Sequence, residues 1–298
     1  MRVLNFGSLN IDYVYSVAHI VAPGETIASS GRQVFYGGKG FNQSVAVSRA
    51  GVPVFHAGQV GFDGGGLLAE CKKYGVDSTL IQESPHETGH TFIQVDETGQ
   101  NSIVLFGGSN RAITQEHIHR VLTQFGTGDL LILQNEINGL DAILRQAAER
   151  GLTIILNPSP CDEAVLACDL SLVRWLVLNE VEGGQITGQQ ESGAILQALA
   201  RRYPQTGVVL TLGSEGAFCR AEGDTIYQPC FRVKPVDTTA TGDTFLGYFA
   251  AGLAQGLPLK PSMERAAAAA AIAITRQGAA PSIPLREEVE QFLRERSV

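Results

Sequence analysis

Short apolar runs recur along this chain at residues 3–6, 54–60, 130–134, 153–157, 175–178 and 208–212, each separated from the next by a stretch of helical character. A strand buried on both faces reads as a nearly unbroken apolar run, and helical crossovers between such strands make them parallel. The helical stretches lie at 42–50, 66–74, 114–124, 140–150, 192–202, 244–255 and 260–275, with Gly51, Gly75, Gly151 and Gly256 where C-terminal caps fall. The pattern predicts an α/β fold built on a mostly parallel sheet covered by helices.

One region breaks the rhythm. Segments 91–95 and 102–106 flank Asp96-Glu97-Thr98-Gly99-Gln100 and read as a hairpin without a helical crossover. With residues 13–36 it is expected to form a small sheet standing off the main layer, as a lid or a dimer surface. The alanine run 266–271 reads as a buried helix, since alanine is the strongest helix former. A chain of 298 residues with 44% hydrophobic and 17% charged residues buries a full core, and one core with an appendage is expected over 1–298.

The net charge of -8 offers no basic field to a polyphosphate backbone, so nucleic acid is not an expected partner. Cys71, Cys161, Cys168, Cys219 and Cys230 form no C-x-x-C pair, and their odd number fits reduced thiols in a cytoplasmic protein. No run approaches bilayer-spanning length and no leader precedes Val3, so no membrane role is expected and Asn42-Gln43-Ser44 is a glycosylation sequon only in form.

Chemistry concentrates in Val236-Asp237-Thr238-Thr239-Ala240-Thr241-Gly242-Asp243-Thr244-Phe245. Small residues at Ala240 and Gly242 let amides face outward at a helix start, where unpaired N–H groups carry partial positive charge and attract phosphate. Asp243 would stand beside a moving phosphoryl group as general base. The plainer reading is an N-cap aspartate. A second loop, Gly37-Gly38-Lys39-Gly40-Phe41-Asn42, lets backbone approach a ligand closely and supplies a cation and an amide, but Gly40 after Lys39 excludes a Walker loop. Unusual polar residues follow the apolar runs: Asn10, Asp12, Glu136, Asn157, Asn179, Glu182, Thr211, Gly213 and Ser214. Ligands in open parallel sheets bind at those ends. His86-Glu87-Thr88-Gly89-His90 matches the H-E-x-x-H zinc pattern, yet Pro85 before it and Gly89 within it oppose the helix that pattern needs.

Together the two loops, as Gly37 to Gln43 and Asp237 to Phe245, resemble the paired motifs of the ribokinase-like (pfkB) carbohydrate kinases. The similarity extends through Gly7-Ser8-Leu9-Asn10-Ile11-Asp12, Pro23-Gly24-Glu25-Thr26, Leu156-Asn157-Pro158, Asn179-Glu180-Val181-Glu182, Thr211-Leu212-Gly213-Ser214-Glu215-Gly216 and Ala273 to Ser282, covering essentially the whole chain. It implies a three-layer α/β/α kinase domain with a β-sheet lid, formed near 13–36 and 88–106, that often makes a homodimer interface. It implies transfer of the ATP γ-phosphoryl group to the primary hydroxyl of D-ribose, with Asp243 as base and 240–242 as anion hole. Asn10, Asp12, Gly38, Lys39, Asn42 and Glu136 match the family's sugar-contacting positions. Asn179 and Glu182 match an N-x-x-E element that orders Mg²⁺ through water, while Thr211, Gly213, Ser214 and Gly216 match nucleotide-lining positions. Asp237, Thr239, Ala273, Arg276, Gly278 and Ser282 match a monovalent-cation site, expected to take K⁺.

Three positions depart from the family's habit: Phe41 and Thr241 stand where alanine is usual, and Ala267 where an adenine-facing Asn or His is common. Phe41 either narrows the sugar pocket or packs beneath the lid. The rival expectations are a kinase of 2-deoxyribose, fructose, a nucleoside or pseudouridine, and a non-catalytic sugar-binding regulator.

Overall fold

A computed structural model describes residues 1–296. Its strands are, in chain order, β1 (Val3–Phe6), β2 (Asn10–Ser16), β3 (Gly31–Gly37), β4 (Val54–Val60), β5 (Asp77–Glu83), β6 (Gly89–Val95), β7 (Asn101–Phe106), β8 (Leu130–Gln134), β9 (Thr153–Asn157), β10 (Trp175–Asn179), β11 (Gly207–Thr211), β12 (Ala217–Ala221) and β13 (Asp224–Gln228). The helices are α1 (Lys39–Arg49), α2 (Gly65–Lys73), α3 (Gln115–Leu122), α4 (Leu140–Glu149), α5 (Glu163–Leu166), α6 (Glu180–Thr187), α7 (Ser192–Arg202), α8 (Thr241–Ala254), α9 (Leu259–Ala273) and α10 (Arg286–Arg296).

Nine strands form the main sheet in the order β13-β12-β11-β10-β9-β8-β1-β4-β5. From β11 to β5 every neighbouring pair is parallel, and β12 and β13 add an antiparallel edge. All six apolar runs lie in the parallel part. Successive residues feed opposite faces: Val209 joins the core beneath α1, α8 and α9, while Val208 and Leu210 join the core beneath α4 and α7. Two cores on one sheet make three layers.

Helix α8 is apolar nearly all round, and Asp243 to Gly252 are all buried. Such a helix belongs inside, not at a surface. Phe249 has no exposure and meets Trp175 of β10 edge-on, with ring centroids 5.3 Å apart. Burying one side chain of this size is worth about 1.5–3 kcal/mol, which fixes the height of α8 over the sheet.

The small sheet has the order β3-β2-β6-β7, with β2 parallel to β6 and the two outer pairs antiparallel. Its hairpin turns at the expected 96–100, where Asp96 Oδ1 accepts from the amides of Thr98 and Gln100. The zinc pattern falls here: residues 86–88 are irregular and Gly89 and His90 open β6, so His86 and His90 do not share a helix face. The apolar runs do not announce β5, the β12–β13 edge, α6 or α10. In β12 buried and half-exposed residues alternate, as in a strand fully covered on only one face, and α6 contains the weak helix formers Gly183 and Gly184.

Candidate active site

Two helix starts, those of α1 and α8, meet at the carboxyl end of the parallel strands. Strand β3 ends with Gly37 opposite Asn10 of β2, and Gly38, at φ 93°, turns the chain into α1. Gly37 also makes room for a carboxylate, because a Cβ there would lie 2.6 Å from Asp12 Oδ2. Helix α1 has no side-chain cap, yet its first amides are claimed by protein. Lys39 N donates to Glu136 Oε2 at 3.0 Å, Gly40 N to Ser8 Oγ at 3.2 Å and Phe41 N to Ser8 O at 3.0 Å. Phe41 is fully buried in the main core, edge-on to Tyr74, so it leaves the cleft unnarrowed.

The start of α8 is different. Its N-cap is Ala240, held in the left-handed region at φ 55° and making no side-chain cap bond. The amides of Gly242 and Asp243 have no acceptor among the described residues. Asp243 is not the cap of this helix: it is the third helical residue, its side chain 8% exposed. It accepts from Asn42 Nδ2 at 3.1 Å and Gln43 Nε2 at 2.9 Å, which fixes both carboxylate oxygens.

Ahead of α8, Asp237 shapes the loop by accepting from Thr239 N and Oγ1 at 2.9 and 2.6 Å and from Gly278 N at 2.9 Å. These hydrogen bonds outweigh its burial and hold its carboxyl below the usual range. Val236 N and Asp237 N donate to Ile274 O, so the segment holding Asp237 and Thr239 is tied to the one holding Ala273, Arg276, Gly278 and Ser282. The Arg276 guanidinium is committed to Glu288, and Ser282 Oγ to Ala279 O.

A cleft of about 240 Å³ opens between these starts, lined by Lys39, Asn157, Asn179, Glu182, Thr211 and residues 238 and 240–243. Asn179 caps α6 and forms a reciprocal capping box with Glu182. Thr211 Oγ1 donates to Leu178 O at 3.3 Å. Gly213, Ser214 and Gly216 lie in the turn from β11 to β12 and do not line the cleft. Burial alone would lower the Lys39 ammonium, but the nearby charges of Asp243, Glu136 and Glu182 outweigh it and hold its pKa above the usual lysine value. One cation thus faces three acids. Burial raises Glu136 against the pull of Lys39, and raises Asp12 against its bond from Thr91.

Beside Asp243 and at the cleft, Asn42 Oδ1 and Thr241 Oγ1 are buried without a partner among the described residues, and deeper in the same network so is Gln134 Oε1. Orphaned buried acceptors are costly, and a hydroxyl or phosphate would satisfy the two at the cleft. Two participants, Asn110 and Gln134, belong to no motif, and a third, Gln43, closes the first motif without having been given a role there. Asn110 donates to Asn10 Oδ1 at 2.7 Å and Gln43 braces Asp243, in contact with Gln134, the polar residue that ends an apolar run. That amide at a strand end was the available signal.

Residues 2–286 match the family model of the pfkB family carbohydrate kinases. A ribokinase of Schizosaccharomyces pombe is 37% identical over 310 residues, covering 97% of each chain. A ribokinase of Haemophilus influenzae is 35% identical over 299 residues, covering 96% of each. The structure of Arabidopsis thaliana ribokinase complexed with ribose and ATP superposes with a TM-score of 0.86 at 28% identity, covering 98% of both chains. With the family model matching nearly the whole chain and ribokinases similar to it over that length, the chain belongs to the pfkB family of carbohydrate kinases.

Proposed function

We propose that this phosphotransferase moves the ATP γ-phosphoryl group to the primary hydroxyl of D-ribose, giving D-ribose 5-phosphate. The observation that carries the reading is Asp243, a buried carboxylate held by two side-chain amides at the mouth of a helix where the N–H groups of Gly242 and Asp243 lack acceptors among the described residues. Asp243 takes the proton of the attacking hydroxyl, and the amides of 240–242 receive the charge that develops on the phosphoryl oxygens. Lys39 adds a fixed positive charge beside them.

Asn10, Asp12, Gly38, Lys39, Asn42 and Glu136 hold the sugar in this reading. Carboxylates accept from vicinal hydroxyls, and the free Asn42 Oδ1 accepts from another. Thr211 lines the nucleotide side, with Gly213, Ser214 and Gly216 at its outer edge. Glu182 commits Oε2 to the amide of Asn179 and itself lines the cleft. Its carboxylate and the Asn179 amide fit Mg²⁺ held through water, a hard cation that dehydrates reluctantly and neutralises phosphate charge. A K⁺ ion fits the paired loops at Asp237, Thr239, Ala273, Arg276, Gly278 and Ser282 through backbone carbonyls, because the Asp237, Arg276 and Ser282 side chains are already committed.

The small sheet supports a homodimer of a cytoplasmic enzyme. Ile103, Val104, Leu105 and Phe106 of its edge strand β7 are each more than half exposed, an apolar edge that pairing with a second copy would cover. Sedimentation should show a dimer at micromolar concentration, and a monomer throughout would refute it.

ADP release with Mg²⁺-ATP and K⁺ should be measured over ribose, 2-deoxyribose, fructose, adenosine and pseudouridine. Preference for ribose is the expected result. Preference for another acceptor would keep the transfer chemistry and reassign the pocket.

A further inference from the structure

Beneath Asp243 runs a chain of wholly buried polar side chains whose hydrogen bonds run outward from Gln134 Nε2, one branch toward His56 and the Gly7 carbonyl and the other toward Asp243. His56 Nε2 lies 3.3 Å from Gly7 O, which only accepts, so that nitrogen carries the proton and Nδ1 accepts from Ser44 Oγ at 2.8 Å. Ser44 Oγ therefore has its lone pairs free for Asn5 Nδ2, at 2.9 Å, whose other proton goes to Gly40 O at 2.8 Å. With its nitrogen fixed, Asn5 presents Oδ1 to Gln134 Nε2 at 2.9 Å. Gln134 Nε2 also donates to Gln43 Oε1 at 2.7 Å. Gln43 is left only one orientation, Nε2 toward Asp243 Oδ1 at 2.9 Å. Asn5, Gln43, Ser44, His56 and Gln134 all have no exposure. Two obligate acceptors at one end, the carbonyls of Gly7 and Gly40, thus decide which atom of Gln43 meets the acid at the other.

We infer that Gln43 is a positioning residue for phosphoryl transfer: oriented through Gln134 and Asn5, it holds the Asp243 carboxylate in the geometry that takes the substrate proton. The inference rests on the reading of Asp243 as the base. A reversed Gln43 would set its carbonyl against a carboxylate, and small displacements of a reacting group cost rate steeply.

Gln43→Met keeps the length and apolar bulk of the side chain and removes its amide. Its kcat should fall about 10- to 100-fold, with KM for sugar and for ATP within about threefold of the parent. Gln134→Met should lower kcat by less, because the Gln43 amide remains but can turn. The double variant should be no slower than Gln43→Met alone, the non-additivity of residues acting through one path. Multiplying effects in the double variant, or a Gln43→Met enzyme with unchanged kcat beside an inactive Asp243→Asn, would overturn the inference. A raised sugar KM at unchanged kcat would overturn it too, making Gln43 a sugar contact. If Gln43→Met does not fold, the kcat loss in Gln134→Met, read at a temperature where circular dichroism shows it native, carries the test. Wild-type turnover by Asp243→Asn would instead sink the base assignment itself.

Discussion

The two helix starts that meet at the cleft are built alike and used differently. Neither α1 nor α8 has a side-chain cap, and each begins with a residue at positive φ, Gly38 and Ala240. The first amides of α1 are answered by Ser8 and Glu136, whereas Gly242 and Asp243 of α8 have no acceptor among the described residues. Each helix end presents unpaired donors that something must satisfy. Where protein satisfies them, as at α1, the helix start becomes a rigid wall. At α8 the same groups are left for an anion, and the two side chains that α1 sends across, Asn42 and Gln43, hold the acid beside it. One start fixes geometry and the other meets charge.

Asp243→Asn tests this division where the effect is largest. General base catalysis is worth roughly 10²- to 10⁴-fold in rate, about 3–5 kcal/mol of barrier, and kcat should fall by that much with Tm nearly unchanged. Full turnover would leave the open helix start without its acid. Glycine substitutions then separate the two starts. A Cβ on Gly40 would lie 2.4 Å from Ser8 N and 2.6 Å from Gly7 C, both backbone, whereas one on Gly242 meets nothing within 4 Å. Gly40→Ala should therefore cost about 3 kcal/mol of stability, visible as a lowered denaturant midpoint. Gly242→Ala should unfold like the parent and lose roughly tenfold or more in kcat/KM for ATP, from crowding or tilting of the open amides. Equal destabilisation by both substitutions would erase the contrast.

The α8 half of this arrangement was more legible in the sequence than the α1 half. Glycine and small residues before an apolar helix mark an open N-terminus, and the apolar runs marked every parallel strand of the main sheet except the half-buried β5, because burial on both faces leaves no other composition. The roles under α1 were hidden. Asn5 and Gln134 sit inside or at the end of apolar strands and Gln43 in a buried helix, and only the folded sheet brings residues 5, 43 and 134 together. Asn42 invited a sugar-contact reading, and the fold adds a second task, a bond from Nδ2 to Asp243 that leaves Oδ1 free. The antiparallel edge β12–β13 was obscured because β12 alternates buried with half-exposed residues and β13 is mostly exposed, so neither produces an apolar run.

The wall under α1 also contains a titratable group, giving a smaller effect that solution pH can reach. His56 has no exposure, and burial lowers its pKa from 6.5 to about 4. The unfolded chain therefore binds a proton between those values that the folded chain does not. Stability from the neutral ring is full above about pH 6.5 and is lost as pH falls toward 4, about 3 kcal/mol in all. His117, also held near 4 chiefly by burial, acts in the same window. Denaturant midpoints followed from pH 7 to pH 4 should fall, and His56→Gln should flatten that slope by about half, His117 supplying the rest. An unchanged slope would mean that the ring under α1 does not titrate on unfolding.

Helix α3 supplies the control that both cleft helices lack, and the smallest effect. Its N-cap Thr114 accepts from His117 N at 3.1 Å, so a side chain of its own does for α3 what Ser8 and Glu136 do for α1. Thr114→Ala removes that acceptor and should cost about 1 kcal/mol, with kcat and both KM values at the parent level. The reason for expecting silence in the kinetics is positional. Residue 114 serves an amide that is already paired and lines no part of the cleft, so its loss changes how firmly α3 starts and not what any ligand meets. A kinetic defect in this variant would mean that a helix start paired within the protein still reaches the chemistry, and the separation between wall and anion site would then be one of degree.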